Sequence, residues 1–140
     1  SQLRSLPGIG PYTAAAIAAF AFDQPVPVLD ANIARVIARL FDCRHDITTA
    51  ADAFLEQAAN GLLPASGGRQ HTSALMDLGA TICRSGPPEC SLCPVQKFCR
   101  ATDPASLPIK PARKPVTRLV EWCALATKRR RVFLIPSPAP

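Results

Sequence analysis

Residues 6–11, with the sequence LPGIGP, decide the fold, because they predict a tight turn that runs directly into a helix. Pro11 suits the first helical position, where its missing N–H costs nothing, and the alanine-rich run that follows favours a helix. Such a turn brings the backbone N–H groups of Gly8, Ile9 and Gly10 within reach of an anion such as a phosphate group. An ordinary connection between two helices explains the same pattern equally well.

A second helix is predicted after VLD at residues 28–30, because apolar residues recur at 33, 36, 37 and 40. Asp30 is a good N-cap for this helix, a structural role worth about 1 kcal/mol. A carboxylate at a helix start also suits a catalytic site that faces a cleft, and the two roles are compatible. Asn32 lies in the first turn, where a solvent-facing position is the alternative to a functional one.

The rest of the chain predicts an all-α domain followed by a different kind of segment. Further helices are expected from residues 46–49 to about 61, and from about residue 70 to residue 82 after a Gly-Gly turn. Residues 104–117 are rich in proline and basic residues, which is typical of a linker. In residues 118–140, apolar runs on either side of a basic turn predict a β-hairpin. Two strands alone are marginally stable, so we expect this hairpin to open a second domain.

Four of the six cysteines crowd into 17 residues with the spacing Cys-x6-Cys-x2-Cys-x5-Cys: Cys83, Cys90, Cys93 and Cys99. Nothing in the sequence indicates secretion, so a metal centre is favoured over disulfides. Zinc and 4Fe–4S clusters both accept four thiolates. Zinc ribbons usually contain two Cys-x2-Cys pairs and this loop contains one, so the spacing favours a 4Fe–4S cluster. Cys43 and Cys123 stand apart and are interpreted as small buried side chains.

Charge is divided unevenly along the chain. Residues 1–79 contain five Arg against seven Asp or Glu, a net charge of −2. Residues 80–140 contain eleven Lys or Arg against three Asp or Glu, a net charge of +8. The basic half indicates a polyanionic partner such as nucleic acid, with a solvated basic tail as the alternative. No apolar stretch reaches the roughly 20 residues of a membrane span, and no signal peptide is visible.

Taken together, these motifs resemble the helix-hairpin-helix glycosylase superfamily with an iron–sulfur loop, and within it the MutY-type adenine DNA glycosylases. The matching segments are LPGIGPYTA at 6–14, VLDANIARV at 28–36, ALMDLGA at 74–80 and the cysteine quartet with CSLCP at 90–94. The resemblance covers about residues 1–103. It divides the chain into a partial glycosylase domain at 1–82, a cluster loop at 83–103, a linker at 104–117 and the start of a truncated Nudix-like domain at 118–140.

The resemblance implies a base-excision enzyme that removes adenine mispaired with 8-oxoguanine or guanine in double-stranded DNA. It implies that Asp30 is the carboxylate that stabilises the sugar cation, and that Asn32 and Tyr12 orient it or the base. Endonuclease III-like relatives carry a lysine nucleophile where this chain has Tyr12, so a monofunctional glycosylase is implied. The implied DNA contacts are Gly8, Ile9, Gly10 and Arg84, and the implied ligands of a 4Fe–4S cluster are Cys83, Cys90, Cys93 and Cys99.

This chain departs from the family pattern at Ala31, where the family usually has glycine. A residue just inside a helix does not need a positive φ, so we expect Asp30 to keep its role. The family's general-acid glutamate lies upstream of the hairpin, and this sequence opens inside a motif without an initiator Met. We therefore expect a piece of a longer protein that is inactive or nearly so on its own.

Three alternatives stay open on the sequence alone. They are an endonuclease III-like enzyme for oxidised pyrimidines, a non-enzymatic zinc module that binds DNA, and an inactive or truncated gene product. For the favoured interpretation we expect a monomer in the bacterial cytoplasm that associates with the nucleoid through DNA and has no membrane partner.

Overall fold

Helices dominate the computed structural model, which describes residues 2–47, 52–109, 127–129 and 131–132. The α-helices are α1 (Pro11–Phe22), α2 (Ala31–Leu40), α3 (Ala53–Gly61) and α4 (Gly68–Thr81). Short 3₁₀ helices are found at Gln2–Ser5, Cys90–Leu92, Gln96–Phe98 and Pro104–Ser106. This confirms the helical core that was predicted from the apolar periodicity. Among the described residues, every helix is too short or too polar to cross a bilayer.

The first two α-helices begin where the sequence predicts. Pro11 is the first residue of α1, directly after the glycine turn. Asp30 caps α2, because its Oδ1 accepts a hydrogen bond from the Ile33 N–H at 2.7 Å. Both starts are set by local chemistry, which is why the sequence alone reveals them.

The start of α3 near residues 46–49 was predicted wrongly, since α3 begins at Ala53. The reason is a competing cap. The Asp52 carboxylate accepts hydrogen bonds from the N–H groups at positions 54 and 55, and so fixes the first turn after itself. Helix α4 begins close to its predicted start, after Gly67 in a left-handed conformation with φ +79°.

Helix α2 is the centre of the core. Its residues 33–39 are all buried, and it packs against α3 and α4. Ile33, Ile37 and Leu55 are sealed in one apolar cluster between these helices. Full burial of such a side chain contributes about 1.5–3 kcal/mol, so packing holds α2 in place.

Two glycines allow α4 to approach neighbouring backbone very closely. A Cβ added to Gly68 would lie 2.0 Å from the carbonyl oxygen of Gln24. A Cβ added to Gly79 would lie 2.8 Å from the Cβ of Asn32. Neither fits without movement, so α4 contacts the α1–α2 connection at one end and the start of α2 at the other.

Residues 104–109 pack on the helical domain, beyond the residue 103 boundary expected for the cluster loop. Leu107 is only 2% exposed, and the Ile47 N–H donates to the Ile109 carbonyl at 3.1 Å. The strands β1 (Thr127–Lys128) and β2 (Arg131–Val132) pair antiparallel around the predicted basic turn. The rest of the predicted linker and hairpin, including Cys123, lies outside the described residues, and the Nudix-like domain stays a prediction.

Candidate functional site

The four cysteines that follow α4 come together around one cavity. Cys83 lies just beyond the end of α4, and Cys90 begins the 3₁₀ helix Cys90–Leu92. Tight turns place the other two, because the Cys93 N–H donates to the Cys90 carbonyl at 3.1 Å and the Cys99 N–H donates to the Gln96 carbonyl at 3.0 Å. All four thiols are free and half-buried, and they line a cavity of about 40 Å³.

The quartet has the chemistry of a metal-binding site. Four thiols are a donor set that both zinc and 4Fe–4S accept. In the described part of the chain, however, no three His, Cys, Asp or Glu side chains are placed to share one ion. Burial and the neighbouring thiols of Cys99, Cys83 and Cys93 raise the pKa of the Cys90 thiol, while the Arg39 guanidinium lowers it. The four thiols therefore lie close enough around a common cavity to influence one another's charge.

Arg39 connects helix α2 to this loop. Its side chain is 2% exposed. The guanidinium donates to the Leu107 carbonyl at 3.0 Å, to the Arg84 carbonyl at 2.8 Å and to the Gly86 carbonyl at 3.2 Å. It also donates to the Cys83 sulfur at 3.3 Å. One buried side chain thus contacts Cys83 of the quartet and backbone carbonyl groups that come before and after the other three cysteines.

Arg35, one turn earlier in α2, makes a second connection. Its Nε donates to the Cys83 carbonyl at 2.8 Å, and its Nη2 donates to the Gly79 carbonyl at 2.7 Å and to Asn32 Oδ1 at 2.8 Å. Burial, and then the neighbouring Arg39 charge, lower the pKa of Arg35. Asn32 is consequently tied through one guanidinium to α4 and to the start of the cysteine loop.

The predicted catalytic residues are brought only partly together. Asp30 and Asn32 share the first turn of α2. Tyr12 lies in the first turn of α1 and is 49% exposed. Within the described residues no hydrogen bond joins Tyr12 to Asp30 or to Asn32. Gly8 has φ +81°, and both it and Gly10 are exposed, so the turn is accessible to a ligand.

Asn32 and Arg84 line one polar cleft of about 350 Å³ between the start of α2, the end of α4 and the loop. Arg84 is exposed and forms an ion pair with Glu89. Asp30 is not among the residues that line the cleft, which are Asn32, Arg35, Gly79, Ala80, Arg84, Ser85 and Pro87. The cleft is therefore a polar surface beside Asn32 with an exposed cation, Arg84, at its edge.

Comparisons with known proteins agree with this geometry. A helix-hairpin-helix motif matches residues 1–20. The adenine DNA glycosylase of Mus musculus is 39% identical over 136 residues, which is 94% of this chain and 26% of the mouse protein. The adenine DNA glycosylase of Mycolicibacterium smegmatis is 42% identical over 98 residues, which is 70% of this chain and 33% of that protein. The solved structure of a thermostable thymine-DNA glycosylase matches with a TM-score of 0.61 and 36% identity, covering 68% of this chain and 44% of that chain.

The chain belongs to the MutY-type helix-hairpin-helix DNA glycosylases. This confirms the resemblance stated from the hairpin, the Asp30 segment and the cysteine quartet. The chain spans about a quarter of the length of the mouse relative and about a third of the mycobacterial one.

In this MutY-type chain, sequence reasoning missed the roles of Arg35 and Arg39. The sequence analysis assigned no role to either residue, whereas both guanidinium groups are buried and hydrogen-bonded. A signal was present, because the two arginines lie four residues apart and so share one face of α2, which contains no acidic residue. Two arginines on one face with no acidic partner in the same helix predict that groups outside the helix accept many of their hydrogen bonds.

Cys43 is buried at 3% exposure, which confirms its interpretation as a small core residue. Its sulfur lies 3.3 Å from His45 Nδ1, and His45 Nε2 lies 3.1 Å from the Asp52 carboxylate. Burial raises the pKa of the Cys43 thiol, so this thiol is a poor nucleophile. The group stabilises the connection before α3 and is separate from the quartet.

Proposed function

We propose that this chain contains the catalytic carboxylate and the cluster loop of an adenine DNA glycosylase. The substrate is adenine paired with 8-oxoguanine or guanine in double-stranded DNA, and the enzyme acts as a monomer. The observation that carries the proposal is that Asp30 caps the same helix that holds the cysteine loop through Arg35 and Arg39. The adenine DNA glycosylase relatives support the choice of base.

Asp30 is suited to stabilise a cation on the sugar. Its Oδ1 accepts the Ile33 N–H, while its Oδ2 accepts no hydrogen bond from any described residue. The N-terminus of α2 also favours a negative charge at this place. Cleavage of the N-glycosidic bond builds positive charge on the sugar, and a carboxylate beneath it stabilises or captures that cation. One oxygen of Asp30 thus positions the group, and the other is available to the substrate.

Asn32 contributes a fixed hydrogen-bond donor. Arg35 donates to Asn32 Oδ1, so the amide nitrogen is the polar atom that Asn32 has left for a ligand. No described residue accepts from that nitrogen. Because Asn32 lines the polar cleft, we propose that it contacts the extruded nucleotide, which must leave the base stack before its glycosidic bond can be reached. Tyr12 lies on the exposed first turn of α1, and we propose that it contacts the DNA from there.

Cys83, Cys90, Cys93 and Cys99 are proposed to hold a 4Fe–4S cluster. The cluster supplies a compact core that fixes the shape of the loop when it is bound. The protein residues then act on DNA. The turn at Gly8, Ile9 and Gly10 binds one phosphate through the N–H groups of its two glycines, because the Ile9 N–H already donates to the Leu6 carbonyl at 3.2 Å. Arg84 exchanges its Glu89 partner for another phosphate.

The function is tested in a chimaera in which this chain replaces the matching segment of the Mycolicibacterium smegmatis adenine DNA glycosylase. Release of adenine from a duplex containing adenine opposite 8-oxoguanine is measured under single-turnover conditions. Asp30→Asn keeps the N-cap and removes the charge, so we expect at least a hundredfold loss of rate. Asp52→Asn, at the cap of α3, is the matched control and should keep the rate.

The result also separates the alternatives. A chimaera that folds but releases an oxidised pyrimidine, and that is trapped on DNA by borohydride, would indicate an endonuclease III-like enzyme. Equal adenine release by the Asp30→Asn and Asp52→Asn chimaeras would show that Asp30 has no catalytic role.

A further inference from the structure

Arg39 is a buried cation that has no carboxylate partner among the described residues. The ion pairs of the described residues involve Arg44, His45 and Arg84, and none reaches Arg39 or Arg35. Burial of a guanidinium requires hydrogen bonds and a compensating charge. Carbonyl groups supply the hydrogen bonds of Arg39, but they supply no net negative charge.

The quartet is the source of that charge. Arg39 Nη1 lies 3.3 Å from the Cys83 sulfur, and Arg39 also lines the cavity that the four thiols surround. A centre held by four thiolates carries net negative charge, whereas four protonated thiols carry none. The buried cation and the cysteine cavity are therefore electrostatically complementary.

Arg39 also contacts the far end of the loop. Its backbone carbonyl accepts the Ala101 N–H at 3.1 Å, and the Cys99 sulfur lies 3.4 Å from the same oxygen. The guanidinium itself bonds to carbonyl groups on both sides of the last three cysteines, at Arg84 and Gly86 and at Leu107. Loss of the Arg39 side chain would release these contacts together.

We propose that Arg39 is a positioning residue for the cluster, which it holds by its hydrogen bond to the Cys83 sulfur and its clamp on the loop. The inference rests on the cluster proposed above. A positive charge and an N–H donor at a ligand sulfur favour the more reduced form of an iron–sulfur centre, because that form carries more negative charge. Arg39 therefore raises the reduction potential of the bound cluster and slows its loss.

Two properties of the full chain, purified without oxygen, test this inference. The first is the reduction potential of the cluster, and the second is the rate at which a chelator removes iron. Arg39→Gln should shift the potential to more negative values and speed iron loss several-fold. Arg39→Lys keeps the charge but cannot form the same set of hydrogen bonds. Its reduction potential should therefore stay close to that of the wild type, while it still loses iron faster than the wild type. Arg4→Gln, at an exposed arginine in the 3₁₀ helix Gln2–Ser5, is the control and should change neither.

The outcomes separate this inference about Arg39 from the proposal of a cluster, on which it rests. A wild-type chain without iron and sulfide would overturn the cluster itself. A loaded Arg39→Gln variant with the wild-type potential would overturn the role of Arg39 alone. If Arg39→Gln takes up no cluster, the lysine variant decides. Iron loss from Arg39→Lys at the same rate as from Arg4→Gln would contradict the clamp.

Discussion

The contact between α4 and the start of α2 gives a sharp prediction at Gly79. In Gly79→Ala, the new Cβ would lie 2.8 Å from Asn32 Cβ and 3.1 Å from the Asn32 carbonyl oxygen. Overpacking of this kind costs about 1–3 kcal/mol. The exchange of glycine for alanine inside a helix returns about 1 kcal/mol. We therefore expect a net loss of about 0–2 kcal/mol in the free energy of unfolding.

Two other glycines provide a comparison for the loss of stability expected in Gly79→Ala. Gly61→Ala, at the end of α3, places a Cβ where no atom lies within 4 Å, so it should be neutral or slightly stabilising. Gly68→Ala places a Cβ 2.0 Å from the backbone oxygen of Gln24, so it should be the most destabilising of the three. The predicted order of stability is Gly61→Ala, then Gly79→Ala, then Gly68→Ala. Denaturant unfolding followed by circular dichroism measures all three.

A double substitution tests the cause as well as the size of the effect. Asn32→Gly removes the Cβ that Gly79→Ala would meet most closely, while the contact with the Asn32 carbonyl stays. Gly79→Ala should therefore cost less in the Asn32→Gly background than in the wild-type background. A Gly79→Ala variant as stable as Gly61→Ala, or equal costs in the two backgrounds, would refute this packing.

Three further predictions concern single side chains. Asp30→Ala and Asp52→Ala should each lower the free energy of unfolding by about 1 kcal/mol in denaturant titrations. Asp30→Asn should change it by only about a few tenths of a kcal/mol, because asparagine caps a helix as well as aspartate does. Arg84→Ala should weaken duplex DNA binding and reduce the salt slope of binding by about 0.9, whereas Glu89→Ala should strengthen binding. Fluorescence anisotropy at several salt concentrations measures both effects. An unchanged salt slope in Arg84→Ala would show that Arg84 does not contact the DNA. Burial opposes charge on Asp52, but hydrogen bonds from His45 and the backbone outweigh it and hold the pKa of Asp52 below its usual value. This contact should therefore stabilise the fold above pH about 4, and the stabilisation should be lost as pH falls through the lower pKa of the folded state. Thermal melts should show a smaller loss of stability at low pH in Asp52→Asn than in the wild type.

Sequence reasoning succeeds where a short segment determines its own structure. Pro11 and Asp30 start helices through contacts within one turn, and their positions follow from residue type. The cysteine quartet also lies within one loop, so its spacing predicts that the thiols meet around one cavity. The start of α3 was mistaken because two aspartates, Asp46 and Asp52, both suit a cap, and residue type does not choose between them.

Long-range contacts are what the sequence does not reveal. Arg39 bonds to a carbonyl 68 positions away, and Arg35 bonds to one 48 positions away. These partners are backbone atoms, which have no residue-type signature in a sequence. Gly79 is similar, because its need for a missing side chain appears only when α4 is packed against Asn32. The fold of the core could thus be predicted, but the connections that tie the Asp30 helix to the cysteine loop could not.

The metal content of the full chain, purified without oxygen, is the most direct test of the central claim that the cysteine loop holds an iron–sulfur cluster against helix α2. We predict about four iron and four sulfide ions per chain, with visible charge-transfer absorbance that is lost when Cys90 is replaced by serine. A colourless protein with one zinc ion per chain would contradict the claim.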